Sequence, residues 1–263
     1  MNLRGGWFLI KHTWMSWLQQ PIFFFLLAFG WMIPTLIYLF VWYTAAAGKT
    51  IGGMTQHEFV GYYLVFALVS QLTYSQTNWT VGDRIRDGSL NFQLVRPISP
   101  IFHTVAAEVA GKVVYMTFVI PIACILALVL HPELHPTLSS SLLFLPSLIL
   151  AWLLRFFWGY WLALLAFWTT RANALLGVQD SLTFLLAGQV APIALLPSPL
   201  QSIARVLPFR YMVGFPVEVL TSHLSTVELF TGLAYQVAWL LTSLILFIVV
   251  WRAGQQHYTA VGG

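Results

Sequence analysis

Six stretches of this chain, 12–48, 59–82, 113–132, 134–154, 181–204 and 229–251, contain no Asp, Glu, Lys or Arg. Each reaches the roughly 20 residues a helix needs to cross the hydrocarbon core of a bilayer. Only 8% of the 263 residues are charged and 59% are hydrophobic, whereas a soluble domain carries roughly 25% charged residues. Mean hydropathy is +0.80. A soluble globule so poor in charge would expose wide apolar patches and aggregate. Aromatic residues at 16%, 18 Gly and 1 Cys exclude disordered, collagen-like and disulfide-stapled classes. The apolar runs are continuous and do not alternate, so they read as helices and not as barrel strands. The sequence thus predicts one all-α integral membrane domain over 1–263, with six transmembrane helices. The first run is too long for a cleaved signal peptide, and Cys124, inside the third span, suggests neither a disulfide nor a metal site.

Six spans put both termini on one side. If that side is cytoplasmic, the inner segments hold seven basic residues, Arg4, Lys11, Arg84, Arg86, Arg96, Arg171 and Arg252, and the outer segments hold three, Lys49, Arg205 and Arg210. The positive-inside rule therefore places both termini in the cytoplasm. A net charge of +4 in such a chain calls for no nucleic acid.

Four pieces lie outside the spans. In residues 3–20, Leu3, Trp7, Ile10, Trp14 and Trp17 form one apolar stripe, with His12, Ser16 and Gln19 opposite and Pro21 as a breaker. This pattern suits a helix lying in the membrane interface, with Trp at the wet boundary. The alternative is an extension of the first span. The inner loop 81–100 places four of the 20 charged residues between Asp83 and Asp87, as Asp83, Arg84, Arg86 and Asp87 around Ile85. Gly88 fits a helix C-cap, and Ser99 with Pro100 fits the start of the next helix. A short helix of mixed charge suits docking to a soluble partner, where complementary charges set register. The plain alternative is a solvated loop. The third piece, 131–140, is a short outer turn. His131, Glu133 and His135 lie there, but Pro132 and Pro136 break any helix that would align them on a metal. The fourth, 196–228, is apolar yet carries Pro197, Pro199, Pro208 and Pro216. It reads as broken helices dipping into the membrane with their backbone buried in protein, or else as a long outer loop.

Chemistry of its own is scarce. Tyr43–Thr50, YTAAAGKT, resembles the end of a phosphate loop, but it has Tyr43 where Gly is required and follows an apolar span in place of a strand. No nucleophile turn of the G-x-S-x-G kind and no H-E-x-x-H helix occurs. Four charges lie within spans: Glu108 and Lys112 early in the third, Arg155 in the fourth and Asp180 early in the fifth. Such groups are costly and belong to packing pairs or to ion relays. Glu108 and Lys112 are spaced i,i+4 with the acid first, and similar depths make a Lys112–Asp180 pair another possibility. The second span ends in a polar run, Ser70, Gln71, Thr73, Ser75, Gln76, Thr77 and Asn78, which suits a vestibule lining or interhelical hydrogen bonds.

Two stretches carry a family resemblance. GSLNFQLVRPISP, Gly88 to Pro100, is similar to the Gly, spaced Leu and Leu-x-Arg-Pro pattern of type-two ABC exporter permeases, the daunorubicin-resistance, polysaccharide and lipid exporter group. WRAGQQHYTAVGG, Trp251 to Gly263, resembles the ending of one bacterial branch, with Gly254, Tyr258 and Gly262 in place. The resemblance covers the whole chain. It implies a permease of the bacterial cytoplasmic membrane in which the helix at Asp83–Gly88 is a coupling helix docking on a separate ATPase. The interfacial helix with Trp7, Trp14 and Trp17 would touch the same subunit. It also implies two ATPase copies that carry ATP and Mg, no cofactor on this chain, and a second permease, identical or paralogous, met through spans two and five. Residues Pro197–Val219, with Pro197, Pro199, Pro208, Phe209 and Pro216, would form an outer re-entrant gate. Two other readings stand beside it: an ion-coupled secondary transporter using Glu108, Lys112 and Asp180, and a membrane scaffold without transport. The first lacks the internal repeat usual in such transporters.

Overall fold

The computed structural model describes residues 21–95 and 99–258, with Lys11, Met15 and Gln19 besides. The proposed interfacial helix, including Trp7, Trp14 and Trp17, otherwise lies outside the described residues, as do 96–98 and 259–263.

Every regular element among the described residues is helical. In chain order they are α1 (Pro21–Ala45), α2 (Gln56–Thr73), α3 (Asn78–Arg86), α4 (Leu90–Leu94), α5 (Pro100–Leu130), α6 (Leu138–Leu164), α7 (Ala172–Leu186), α8 (Ser198–Val206), α9 (Phe215–Thr221) and α10 (Thr226–His257). Among the described residues, four helical stretches are long and apolar enough to cross a membrane: Phe25–Ala45, Pro100–Leu130, Leu138–Phe167 and Thr226–Gln256. α2 and α7 are shorter, at 18 and 15 residues.

The helix ends follow local chemistry. α2 and α10 open with capping boxes, Thr55 with Glu58 and Ser225 with Glu228. α5 begins at Ser99–Pro100 as the sequence indicates, so its 31 residues extend well beyond the charge-free window at 113. Glu108 and Lys112 sit inside it because both side chains find partners. The second hydrophobic window, 59–82, is not one helix: α2 stops at Thr73, Tyr74–Thr77 is non-helical, and α3 starts at Asn78. The fifth window is displaced as well. α7 runs from Ala172 to Leu186 and ends before Gly188, which has φ +88°. Asp180 therefore lies in mid-helix and not at its start.

α6 is the central pillar. Along α10, Trp158 meets Trp239 edge to face at 5.7 Å, Phe157 lies 5.6 Å from Phe247, and Gln236 Nε2 of α10 donates to the Ser147 carbonyl at 3.1 Å. The other side of α10 exposes Val227, Phe230, Val237, Leu241, Ile245 and Val249, an apolar face suited to lipid. One end of the bundle carries Asp83–Asp87 and the start of α7; it is termed the charged end. At the far end, the Glu133 amide donates to the His57 carbonyl at 3.0 Å, joining the α5–α6 turn to the start of α2.

Between α7 and α10 the chain folds back on itself. α8 leads to a bend at Leu207, and a second helical stretch, 208–221, returns. The bend lies against mid-bundle aromatics: Trp239 Nε1 donates to the Val206 carbonyl at 3.0 Å, and Phe209 packs 6.3 Å from Trp158. The returning helix contains a π turn, Arg210–Gly214. Pro216 lies two residues beyond it, after Phe215. Proline has no N–H and its ring would strike the carbonyl four residues earlier, that of Met212; the widened turn relieves this.

The chain after α7 hangs on aromatic donors. Tyr62 Oη donates to the Gly188 carbonyl at 2.8 Å, and Tyr63 Oη and Trp42 Nε1 donate to that of Val190 at 3.1 and 2.9 Å. A Cβ on Gly188 would overlap the Tyr62 hydroxyl, and its backbone is left-handed. Gly188→Ala is expected to destabilise the protein by about 1–3 kcal/mol, read as a lowered thermal midpoint in detergent. An unchanged midpoint would refute this account of the turn.

Candidate functional site

Four helices border an open, largely apolar cavity of about 420 Å³ with a few polar groups in its wall. α1 contributes Trp31 and Pro34, α2 Ser70 and Gln71, α6 Arg155, and α7 Asp180, Ser181 and Phe184, with Tyr74 and Gln189 from the chain just beyond α2 and α7. Arg155 Nη2 lies 3.5 Å from Asp180 Oδ1, and the side chains are 7% and 24% exposed. Arg155 Nη1 also donates to Thr73 Oγ1 at 3.4 Å, and its guanidinium stands 4.9 Å from the centre of the Tyr74 ring. Both polar contacts are long, so the cation is held by several weak partners. The cavity thus presents one positive and one negative group side by side on an aromatic wall. That arrangement can hold an amphipathic molecule bearing a dipolar or charged head.

Asp180 pairs with Arg155 and not with Lys112. Lys112 Nζ instead donates to Glu108 Oε2 at 3.3 Å and to the Tyr74 carbonyl at 2.7 Å. Glu108, 4% exposed, accepts from the Thr77 amide at 2.6 Å and from Thr77 Oγ1 at 2.5 Å. The polar run ending span two divides accordingly. Ser70 and Gln71 face the cavity, while Thr73, Thr77 and Asn78 bond within the bundle, Asn78 Nδ2 donating to the Phe156 carbonyl at 3.0 Å.

At the charged end, α3 carries the mixed charges. Asp83, Arg86 and Asp87 are exposed, Arg84 is half-buried, and Ile85 is buried with Val81 and Leu90 against Phe156, Tyr160 and Leu164. Ile85 therefore anchors the helix and is not available to a partner. Asp83 and Arg86 form an ion pair, and Arg86 Nη1 donates to the Thr170 carbonyl at 2.5 Å, fastening α3 to the start of α7. Gly88 follows the Asp87 cap with φ +78°, the left-handed conformation its position predicted. Hydrogen bonds from Ser89 hold the Asp87 carboxyl below the usual carboxylate range, so its charge persists at mildly acidic pH.

The proline-rich segment brings together a pair that the sequence did not signal. Arg210 and Glu218, eight apart, meet at 2.5 Å through Nη2 and Oε2, and Arg210 Nε lies 3.2 Å from the same oxygen. Two α-helical turns take about 7.2 residues; the residue added by the π turn brings positions eight apart onto one face. They line a second cavity of about 480 Å³ with Tyr62, Tyr211 and Tyr235. Of the segment's expected gate residues, Pro208, Phe209 and Pro216 are buried, while Pro197 and Pro199 are exposed at the start of α8. Tyr43–Thr50 forms the end of α1 and the turn after it, with a helix ahead of the motif. Among the described residues, no group of three or more His, Cys, Asp or Glu is placed to hold a metal.

A helical bundle whose open cavity carries a charged pair in its wall has the character of a membrane passage component. The profile of the ABC-2 family transporter protein matches residues 29–262, and the chain belongs to that family. It is an ABC-2 type permease, a multi-pass, non-catalytic membrane component of an ABC transporter. No match was found among curated proteins.

Proposed function

We propose that this permease is the membrane half of an ATP-driven exporter of the bacterial cytoplasmic membrane, with six spans (α2 and α7 completing the four long ones) and both termini cytoplasmic. The observation that carries the reading is the exposed mixed-charge helix α3, which projects at the charged end and leads directly to Tyr74 in the cavity wall. Asp83, Arg86 and Asp87 dock on an ATPase subunit, with Arg84 beside them and Gly88 setting the cap. Two ATPase copies bind ATP with Mg, and their closure switches cavity access between the two sides. The hairpin with Phe209 at its bend is the outer gate. Cargo is amphipathic, its head at Arg155 and Asp180 and its apolar part against Trp31, Tyr74 and Phe184.

The second permease, identical or paralogous, packs against α7. Ala174, Val178, Ser181 and Leu185 are exposed at spacings of four, three and four, the seam along which two helices interlock. α2 has no exposed residue, so α7 carries this contact in place of the expected share from span two. With Cys124→Ser as background, Val178→Cys is expected to give a disulfide-linked dimer in membranes if the pair is identical. A crosslink only with a co-expressed paralogue would indicate a mixed pair, and none with either would remove α7 from the interface.

The exporter reading is tested by purifying the tagged permease from its native cells in gentle detergent. Recovery of about one ATPase subunit per permease is the expected result, lost when Asp83, Arg86 and Asp87 are changed together to alanine. A permease recovered alone, under conditions that hold known complexes together, would overturn the reading.

A further inference from the structure

A helix broken inside a membrane leaves backbone groups with neither an intrahelical partner nor water. The break at Tyr74–Thr77 meets this need through one stripe of α5. Glu108, Lys112 and Tyr115 are spaced i, i+4, i+7 and so share a face. Glu108 Oε1 takes the Thr77 amide at 2.6 Å, where α3 begins; Lys112 Nζ takes the Tyr74 carbonyl at 2.7 Å, where α2 ends. Tyr115 Oη donates to Gln76 Oε1 in between. Glu108 thus acts as a cap for one helix and Lys112 as a cap for the other, both supplied by a third. Their mutual contact, at 3.3 Å, is longer than either bond to the backbone.

We infer that Glu108 and Lys112 are positioning residues that turn the break into a bracketed hinge, through which movement of α3 reaches the cavity. The connection is short. α3 carries the docking charges at its far turn, its first turn is bonded to Glu108, and the Tyr74 held by Lys112 lies beneath the Arg155 guanidinium at 4.9 Å. α2, which has no exposed residue, stays fixed, while α3, seated on Val81 and Ile85 and fastened to the start of α7 by Arg86, tilts slightly about the break. This rests on the exporter reading for its role in transport, but not for the hinge itself.

The experiment compares Glu108→Gln, Lys112→Met and the exchange Glu108→Lys with Lys112→Glu. An ion pair needed only for its attraction survives the exchange. A double cap does not, because lysine at 108 cannot accept from the Thr77 amide and glutamate at 112 faces a carbonyl. In the purified permease alone, Glu108→Gln is expected to speed amide hydrogen exchange at 77–80 by about tenfold with no change at 60–66 in α2. In the reconstituted complex, each single variant is expected to keep ATP hydrolysis but lose most transport per ATP, and the exchange is expected not to restore it. Unchanged exchange at 77–80, or recovery of coupling in the exchanged pair, would overturn the hinge. Should the exchanged protein fail to assemble, Glu108→Gln decides through the amide rates. Failure to recover an ATPase with the unaltered chain would strike the exporter reading and leave the exchange result standing.

Discussion

Arg155→Met is expected to lower the stability of the permease by about 3 kcal/mol and to abolish transport. The substitution keeps the apolar stem of the side chain and removes the charge facing Asp180. Asp180 is only 24% exposed, so it would be left as an unpaired carboxylate in a low-dielectric wall. Breaking a buried pair from one side costs more than removing it whole. Adding Asp180→Asn to Arg155→Met is therefore expected to restore stability to within about 1 kcal/mol of the parent protein while transport stays lost, since the cavity then has no charge for cargo. Thermal unfolding in detergent and transport in proteoliposomes together read this cycle. A double variant as unstable as Arg155→Met would mean that the two charges do not support each other. Restored transport would move the cargo head away from this pair.

Glu218→Val is the second large effect. Arg210 cannot release its proton and its side chain is 16% exposed, so it has no inexpensive way to lose its partner. A loss of about 3 kcal/mol or more is expected, a fall of about 10 °C in the thermal midpoint at this chain size. The π turn makes a sharper test possible. In a regular helix the residue seven positions on would lie nearest Arg210; here it is the eighth. Placing the acid one residue earlier, as Val217→Glu with Glu218→Val, is expected not to rescue stability. Rescue would mean that the helix relaxes to regular spacing and that the pair, not the turn, chooses the register.

Much of the architecture was legible because lipid leaves few options. Long runs without charge gave the four long helices, and Ser99–Pro100, Gly88 and the prolines of 196–228 marked real boundaries. The windows failed where a charge was taken as a stop. Glu108 and Lys112 lie well inside α5 and Asp180 in mid-α7, because each is compensated by a partner distant in sequence. The break in span two was visible only as a polar run, Ser70 to Asn78; what makes it a break is a stripe on α5 more than 30 residues away. Arg155 with Asp180, and Arg210 with Glu218, depend on packing and on a π turn, and neither leaves a periodic signal. Depth arithmetic alone allowed Lys112 to meet Asp180; the backbone of the break claims that lysine first.

The brevity of α7 has a consequence for the surrounding lipid. Its 15 residues span about 22 Å, against a hydrocarbon core of about 30 Å. Unwound chain, with its carbonyls suspended from Trp42, Tyr62 and Tyr63, completes the remaining distance. Acyl chains that reach the edges of this wall, beside the contact proposed for the second permease, must shorten or tilt to match it, at a cost of fractions of a kcal/mol per Å. Thicker bilayers therefore load the permease unevenly, on the side of α7, and transport should slow as acyl length grows. A molecule leaving the cavity along this wall meets a barrier already thinner than the membrane around it.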